Sequence, residues 1–90
     1  MTKLKGNLNL DKVELKNSIH LYYDSTKDHI KIHNQNNVNI NAIKIYSILG
    51  NEVKKEIYNF NDISTHDIKK GLYLFKIVTE KGNIIKKIIK

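Results

Sequence analysis

Short apolar runs separated by turn residues are the feature that most restricts the fold of this 90-residue chain. From Ile19 onward the runs are too short to be stable as isolated helices, and several alternate apolar with polar residues as a half-buried strand does. The run HIKIH (His29–His33), for example, places Ile30 and Ile32 on one face and polar side chains on the other. Runs at this spacing predict an all-β sandwich or barrel.

The other predicted strands are apolar or alternating runs bounded by polar or glycine-containing turns. They are IHLYY (Ile19–Tyr23), AIKIYSI (Ala42–Ile48), EVKKEIY (Glu52–Tyr58), LYLFKIVT (Leu72–Thr79) and IIKKIIK (Ile84–Lys90). Because Leu72–Thr79 is apolar on both faces, it is predicted to be a central strand. Asn34–Asn41 is predicted to be a loop held to the domain by Val38 and Ile40. Ile63–Lys70 fits either a short strand or irregular chain.

The last run, IIKKIIK, could form a helix or a strand, because its apolar residues come in pairs four positions apart. A helix would gather these pairs on one side. An isolated helix this short is marginal in water, however, and isoleucine, which branches at Cβ, suits a pleated sheet. We therefore predict a terminal strand near a sheet edge, where its lysines discourage pairing with other molecules.

Composition limits how such a fold is stabilised. A chain of 90 residues is one domain by its length, and it buries about 60 to 65% of the surface that its unfolded form exposes. It contains no cysteine, which excludes a disulfide and a thiolate zinc site. We expect about a dozen Ile, Leu, Val, Phe and Tyr side chains to form the core, each contributing about 1.5 to 3 kcal/mol. Residues 1–18 are interpreted as a linker that leans on the domain.

The formal net charge is +7, and every Lys or Arg position is a lysine. Arginine reads phosphates and base edges in a bidentate manner, whereas lysine is a hydrated point charge suited to ordinary solvated surfaces. The lysines are spread along every segment and mixed with Asp and Glu instead of forming one stripe. We therefore expect no nucleic-acid partner, although the interleaved lysines and tyrosines keep a non-specific single-strand binder among the alternatives.

Ser64, His66 and Asp67 are the three residue types that form a hydrolase triad. Neighbours in sequence rarely form one, because nucleophile, base and orienting group normally come from separate parts of a fold. We interpret these residues as a polar connection and expect no enzyme activity.

The histidines raise the question of a metal site. On a helix the spacing of His29 and His33 would place both on one face, but on a strand they lie about 13 Å apart, too far to share an ion. A metal would need His20 or His66 to approach across strands, and solvent-facing histidines are favoured.

The isolated glycines Gly50, Gly71 and Gly82 are each bounded by predicted strands. None opens a helix, so they make no phosphate-binding loop and are explained as turn residues. No cofactor is expected.

The first residues lack the apolar stretch of about 7 to 15 residues that a secretory signal requires. No segment approaches the roughly 20 apolar residues of a membrane span. Taken alone, the chain is expected to stay in the cytosol.

Three boxes in the second half share an order and spacing with a known family. They are IKIYSILGNEV (Ile43–Val53), IKKGLYLFKIVT (Ile68–Thr79) and KGNIIKKIIK (Lys81–Lys90). In that family, the first motif is an alternating segment that ends in Ile-Tyr and is followed by a Gly turn and a valine strand. The second motif is Leu-x-x-Gly-x-Tyr. The third is a Gly turn followed by a last strand rich in lysine and isoleucine. In this respect the chain resembles the type A C-terminal sorting domain of the type IX (Por) secretion system of Bacteroidota.

The amino side is similar in part. Family members begin with Tyr-Pro-Asn-Pro, a short gap and Asp-x-Leu-x-Ile. The stretch Leu21–Ile32 has Tyr23-Asp24-Ser25 in place of Pro-Asn-Pro, and it keeps the family residues Tyr22, Asp28, Ile30 and Ile32. The stretch Ile63–Asp67 also differs from the Asp-x-Ser-x-Leu segment that precedes the glycine of the second motif in the family.

The resemblance implies an all-β fold, a small immunoglobulin-like antiparallel β-sandwich of about seven short strands over residues 19–90. It implies an address tag on a larger cargo, which is exported to the periplasm by a signal peptide and then across the outer membrane, to be secreted or kept at the cell surface. The implied partners are the type IX secretion translocon, a sortase-like peptidase that cleaves within residues 1–18, and a cargo fused at the amino side. Attachment of the cargo to surface lipopolysaccharide is also implied. Because the chain shows no export signal of its own, we expect it to be the tail of a longer protein or a truncated gene product.

We hypothesise that the translocon binds the sheet formed by Leu72–Thr79 and Ile84–Lys90, with hydrogen bonds at the strand edge giving affinity. The terminal lysines and the free carboxylate would serve as polar handles. The proposed recognition residues are Gly71, Tyr73, Lys76, Gly82, Lys86, Lys87, Ile88 and Lys90.

The main alternative is a β-sandwich adhesion module that binds carbohydrate or a protein partner. An exposed aromatic platform would favour it, although tyrosines in sheets are more often half-buried packing residues. The candidates for such a platform are Tyr22, Tyr23, Tyr46 and Tyr58.

Overall fold

Seven antiparallel strands in two sheets make up most of residues 12–90, the part of the chain that the computed structural model describes. One short helix precedes them. In chain order the elements are α1 (Lys12–Asn17), β1 (Ile19–Asp24), β2 (His29–Asn34), β3 (Ile40–Ser47), β4 (Glu52–Glu56), β5 (Asp62–Ser64), β6 (Leu72–Thr79) and β7 (Gly82–Ile89). The predicted all-β fold is confirmed.

The strands divide into a three-stranded sheet A with the order β1-β2-β5 and a four-stranded sheet B with the order β4-β3-β6-β7. This split resembles that of an immunoglobulin constant domain, except that there the fourth strand joins the first sheet and here β4 lies at the edge of sheet B. Strand β6 is central, as predicted from its two apolar faces. The last strand, β7, lies at the opposite edge of sheet B from β4 and is a strand as predicted.

The core lies between the sheets and is built from the inward-facing positions of alternating strands. Across β3 and β6, Ile43 is opposite Ile77 and Ile45 is opposite Phe75. The expectation of about a dozen core side chains is met by Leu15, Ile19, Ile30, Ile32, Val38, Ile43, Ile45, Ile63, Ile68, Phe75, Ile77 and Ile84. The tyrosines contribute only at its periphery, through Tyr23 and Tyr73.

Several strand boundaries differ from the predicted ones. Strand β3 begins at Ile40, and β4 ends at Glu56, so Ile57 and Tyr58 are exposed. After β4 the carboxylate of Glu56 accepts a hydrogen bond of 3.2 Å from the backbone N–H of Asn59. The ambiguous segment Ile63–Lys70 contributes to the short strand β5, and the rest of it is not part of a sheet.

Helix α1 lies in the stretch predicted to be a linker. Its Leu15 is buried in the core, and Ser18 directly after it is buried as well. The backbone N–H of Gln35 donates to the carbonyl of Ser18 at 2.7 Å, and the Asn36 amide donates to its hydroxyl at 2.7 Å. Packing against the core therefore begins before Ile19. Residues 1–11 of the predicted linker lie outside the described residues.

The turns give the sandwich two ends. At the first, called the α1 end, Leu15 lies so close to the β6–β7 turn that a Cβ on Gly82 would be 3.6 Å from its side chain. At the second, called the Lys90 end, Lys90 reaches Asp28 in the β1–β2 turn. The β3–β4 turn is also at the Lys90 end, because Ser47 is opposite Tyr73.

A pair of isoleucine variants tests the assignment of the core. Ile77 is fully buried on β6, whereas Ile85 on the neighbouring β7 is 49% exposed. We expect Ile77→Ala to lower the free energy of unfolding by about 2 to 5 kcal/mol. Ile85→Ala should lower it by less than about 1 kcal/mol. Urea denaturation measures both values, and equal losses would show that the inner and outer faces of sheet B are assigned wrongly.

Candidate recognition site

The β6–β7 hairpin contains or adjoins all the residues that the sequence predicts for recognition. Its two-residue turn, Glu80–Lys81, is stabilised by Thr79, whose hydroxyl donates to the carbonyl of Gly82 at 2.6 Å and accepts from the backbone of Lys81 at 3.1 Å. Gly82 has a φ of 134°, a conformation that side chains of L-residues rarely adopt. The turn therefore requires glycine at this position.

Alternation along the hairpin divides the predicted residues into three groups. Gly71 and Gly82 mark the starts of the two strands, and Lys76 and Lys87 lie on the outer face of sheet B. The inner-face group consists of Tyr73, Lys86, Ile88 and Lys90. The structure thus brings the eight residues into one hairpin, but it does not place them on one surface.

Lys90 is held inside the sandwich instead of extending into solvent. Its side chain is 8% exposed. The ammonium donates to the carbonyl of Thr65 at 2.6 Å and to the carbonyl of Ile68, and it lies 3.1 Å from Asp28 Oδ1. These acceptors match the three donors of a lysine ammonium. We call this arrangement of Lys90 with Thr65, Ile68 and Asp28 the Lys90 anchor.

Asp28 connects the Lys90 anchor to Tyr23 on β1 and to Thr65 directly after β5. Its carboxylate accepts a 2.7 Å hydrogen bond from the Tyr23 hydroxyl, and its backbone carbonyl accepts one of 2.8 Å from the Thr65 hydroxyl. The hydrogen bond from Tyr23, with further ones from Lys90 and Thr65, lowers the pKa of Asp28 to about 2. The same bond to Asp28 raises the pKa of Tyr23.

The inner-face residues next to Lys90 close the Lys90 end of the core. Tyr73 donates its hydroxyl proton to the carbonyl of Lys69 at 2.6 Å, and Ile88 packs against the core. The carbonyl of Gly71 accepts the backbone N–H of Lys90 at 2.9 Å. A small, mainly apolar cavity lies between these residues, lined by Ile30, Phe75 and Ile88 among others. These residues therefore hold the last strand in place.

Lys86 is the other lysine on the inner side of β7. Burial lowers the pKa of its ammonium, and the positive charge of Lys16 on α1 lowers it further. An inward-pointing charge on an edge strand opposes addition of a further strand in register. Lys86 is thus placed to affect how the edge of sheet B pairs.

The candidate triad residues make contacts other than those of a catalytic triad. Asp67 forms an ion pair with Lys54 of β4 at 3.1 Å, and His66 Nδ1 lies 3.4 Å from Asp28 Oδ2. The ring of His66 also contacts His29 edge to face, with ring centroids 5.7 Å apart. His66 and Asp67 are therefore engaged with other side chains, and Ser64 lies on β5 opposite His29.

The remaining histidine contacts lie on sheet A. His29 Nδ1 is 2.7 Å from Asp62, which also pairs with Lys31. His20 stacks on His33 at a centroid distance of 6.3 Å. Histidines do approach across strands, but among residues 12–90 no group of three or more His, Cys, Asp or Glu side chains is arranged to hold a metal ion.

The tyrosines considered for an aromatic platform point in different directions. Tyr22 lies on the outer face of sheet A, whereas Tyr46 lies on sheet B. Tyr23 is engaged with Asp28, and Tyr58 follows the end of β4. These four side chains do not form one surface.

Asp28 and Thr65 were not predicted as site residues. Asp28 has a φ of 57°, a turn conformation that Asp tolerates better than most residues. The polar residues before His29 therefore predict a turn, but they do not predict that Asp28 contacts Lys90. Thr65 was hidden in the ambiguous segment. No pattern in the sequence connects either residue with Lys90.

The fold and hairpin define a small β-sandwich module whose last strand is secured by the side chain of its final residue. The family of secretion system C-terminal sorting domains matches residues 21–90 of the chain. The chain belongs to this family, the sorting domains of type IX secretion, which are sorting signals and not enzymes. A comparison with curated proteins found no match.

In residues 12–90, none of the helical structure is long and apolar enough to pass through a membrane.

Acid titration tests the role of Asp28. Because its folded-state pKa, about 2, lies below the ordinary value of 3.8, its carboxylate stabilises the fold above pH 3.8 and loses this effect as the pH falls towards 2. We expect wild type to be more stable than Asp28→Asn at neutral pH, and the difference to shrink between these two values. Thermal unfolding followed by circular dichroism measures it. A difference independent of pH would exclude the charge of Asp28 as the cause.

Removal of the Lys90 ammonium tests the Lys90 anchor. Lys90→Met should lower the free energy of unfolding by about 1 to 3 kcal/mol, because two backbone carbonyls lose their donor. Lys69→Met is the matched control, because Lys69 is exposed. When Lys90→Met is combined with Asp28→Asn, the total loss in free energy of unfolding should be smaller than the sum of the two single losses. Additive losses in urea denaturation would show that the two side chains act independently.

Proposed function

We propose that the chain is a targeting tail that directs a cargo, fused at its amino side, across the outer membrane through the type IX translocon. The family match over residues 21–90 supports this proposal. Membership of the family establishes that the chain is a sorting domain. Which surface the translocon recognises, and what happens to the cargo, are proposed below.

The Lys90 anchor is the observation that carries the proposed recognition mechanism. It fixes the last residue of the sequence to both sheets, so the hairpin presents a defined surface and not a loose tail. Binding to such a preformed surface avoids the entropic cost of ordering a flexible peptide. We therefore propose that the translocon recognises the folded β6–β7 hairpin.

The eight predicted residues have three roles in this proposal. Lys76 and Lys87 on the outer face are available to contact the translocon directly. The inner-face residues hold the strand in position, and the two glycines shape its turns. Among the described residues, no strand pairs with the outer edge of β7. Backbone groups at this edge are therefore available to the translocon, although the inward charge of Lys86 opposes regular addition of a whole strand.

We propose that the sortase-like peptidase cuts on the amino side of Leu15. Leu15 and Ser18 are buried, and proteolysis favours exposed backbone over packed backbone. A cut in that position leaves the sandwich intact and separates it from the cargo, which is then released or attached at the cell surface. Mass spectrometry of the released cargo locates the cut.

A reporter fusion tests the targeting function. A signal peptide, a fluorescent reporter and residues 1–90 are expressed in a bacterium with a type IX system. We expect the reporter outside the cell, and we expect deletion of Ile88–Lys90 to retain it in the periplasm. Because this deletion also removes the Lys90 anchor, Lys87→Glu is added to change the outer face alone.

The matched control is Lys27→Glu, which changes an exposed lysine in the β1–β2 turn. We expect Lys87→Glu to reduce export with an unchanged melting temperature, and Lys27→Glu to leave export unchanged. Export that survives the deletion would refute the targeting role of the hairpin. Equal effects of the two point variants would refute recognition through the outer face.

A further inference from the structure

The outer face of sheet B places three lysines side by side. Lys44 on β3 is directly opposite Lys55 on β4 and Lys76 on β6. Neighbouring strands are about 4.8 Å apart, and like charges directly opposite each other destabilise a sheet. Lys87 lies on the same face, one row closer to the Lys90 end. The row therefore carries a repulsion that a bound anion would relieve.

Few negative charges compensate these lysines. Glu52, opposite Tyr46 at the outer edge of β4, is the carboxylate that the strand register places beside this face. Three other acidic side chains have partners elsewhere: Asp67 pairs with Lys54, Glu80 accepts from Asn39, and Glu56 accepts from the backbone of Asn59. Among the side chains that the structure describes, the face consequently carries four lysines and one glutamate.

Exposed aliphatic side chains lie beside this row at the Lys90 end. Leu72 is opposite Ile89, and Ile48 and Leu49 form the β3–β4 turn at the same end. Leu49 is 84% exposed and Ile89 is 72% exposed. We call these four residues the apolar tip. Exposed apolar groups next to a charged surface mark an interaction site more often than solitary ones do.

We propose that the outer face of sheet B and the apolar tip bind the surface of an anionic lipid membrane. Lysines on this face would interact with the headgroup phosphates, and their long stems allow the charge to stay at the interface. The aliphatic tip would enter the boundary between headgroups and acyl chains. This inference goes beyond the targeting function and does not depend on it.

The chemistry of the face favours lipid over other anionic partners. A second copy of the chain would bring two lysine rows together. Protein interfaces are depleted in lysine, so Lys44 and Lys55, which lie outside the β6–β7 hairpin, fit a lipid surface better than an acidic protein. Single-stranded nucleic acid is bound through exposed aromatic side chains, whereas the apolar tip is aliphatic. A membrane suits both the dispersed lysines and the aliphatic tip.

Vesicle sedimentation tests the proposal with the 90-residue chain. The probes are vesicles of phosphatidylcholine alone and of phosphatidylcholine with phosphatidylglycerol at about 7:3. We expect binding only to the anionic vesicles, weakened by salt. Each lysine removed from the face should reduce the partition coefficient about fivefold, so Lys44→Gln with Lys76→Gln should reduce it about 25-fold. This double variant should melt no lower than wild type, because it removes a repulsion.

The control of equal net charge is Lys16→Gln with Lys81→Gln, two exposed lysines at the α1 end. It should bind within about twofold of wild type. Insertion of the tip is tested separately with Leu49→Trp, a unique fluorophore because the chain has no tryptophan. Its emission should shift to the blue with anionic vesicles, whereas that of Tyr58→Trp should not.

Three outcomes would overturn the proposal. They are equal binding to both kinds of vesicle, equal losses in the two double-lysine variants, and no blue shift of Leu49→Trp. Binding to polyglutamate or single-stranded DNA without binding to anionic vesicles would likewise refute it and identify an acidic macromolecule as the partner. Because no secretion machinery is present, these results are independent of the reporter experiment.

Discussion

At the Lys90 end of the sandwich, the arrangement of the two sheets depends on the contact between Lys90 and Asp28. Asp28 belongs to a turn of sheet A, and Lys90 ends the edge strand of sheet B. An ion pair that is partly removed from water stabilises a fold only when the remaining donors and acceptors are also paired. Tyr23, Thr65 and the carbonyl of Ile68 meet that condition here. The polar cluster thus closes an end where the apolar core alone would leave backbone groups without partners.

Lysines on the same hairpin differ in what they can do. The ammonium of Lys90 is taken up by three acceptors, and burial lowers the pKa of Lys86. Lys76 and Lys87 lie on the outer face, where an external partner can reach them. A net charge of +7 therefore overstates the charge that is available for binding. The position of each residue in the two-residue repeat decides its role, because one step along a strand exchanges core for solvent.

Local sequence pattern was sufficient to predict most of the strands: alternation for β2 and β3, two apolar faces for the central β6, and short length with Cβ branching for the terminal β7. It was sufficient because inward and outward faces are a local property of a strand. The Lys90 anchor could not be predicted in the same way, since it joins three segments that are distant in the chain. The sequence predicts the terminal lysines as polar handles for the translocon, and it gives no sign that the side chain of Lys90 is nearly enclosed. The end of β4 at Glu56 was also missed, because apolar residues continue beyond it to Tyr58.

The packing of Leu15 against the β6–β7 turn places the entry of the chain into the sandwich at one end and Lys90 at the other. A pulling force applied between these points would run along β1 and β7 instead of across them. Strands loaded lengthwise must break many backbone hydrogen bonds together, whereas strands peeled apart break them one after another. Tension from the segment before Leu15 would therefore load β1 along its length and shear its hydrogen bonds with β2.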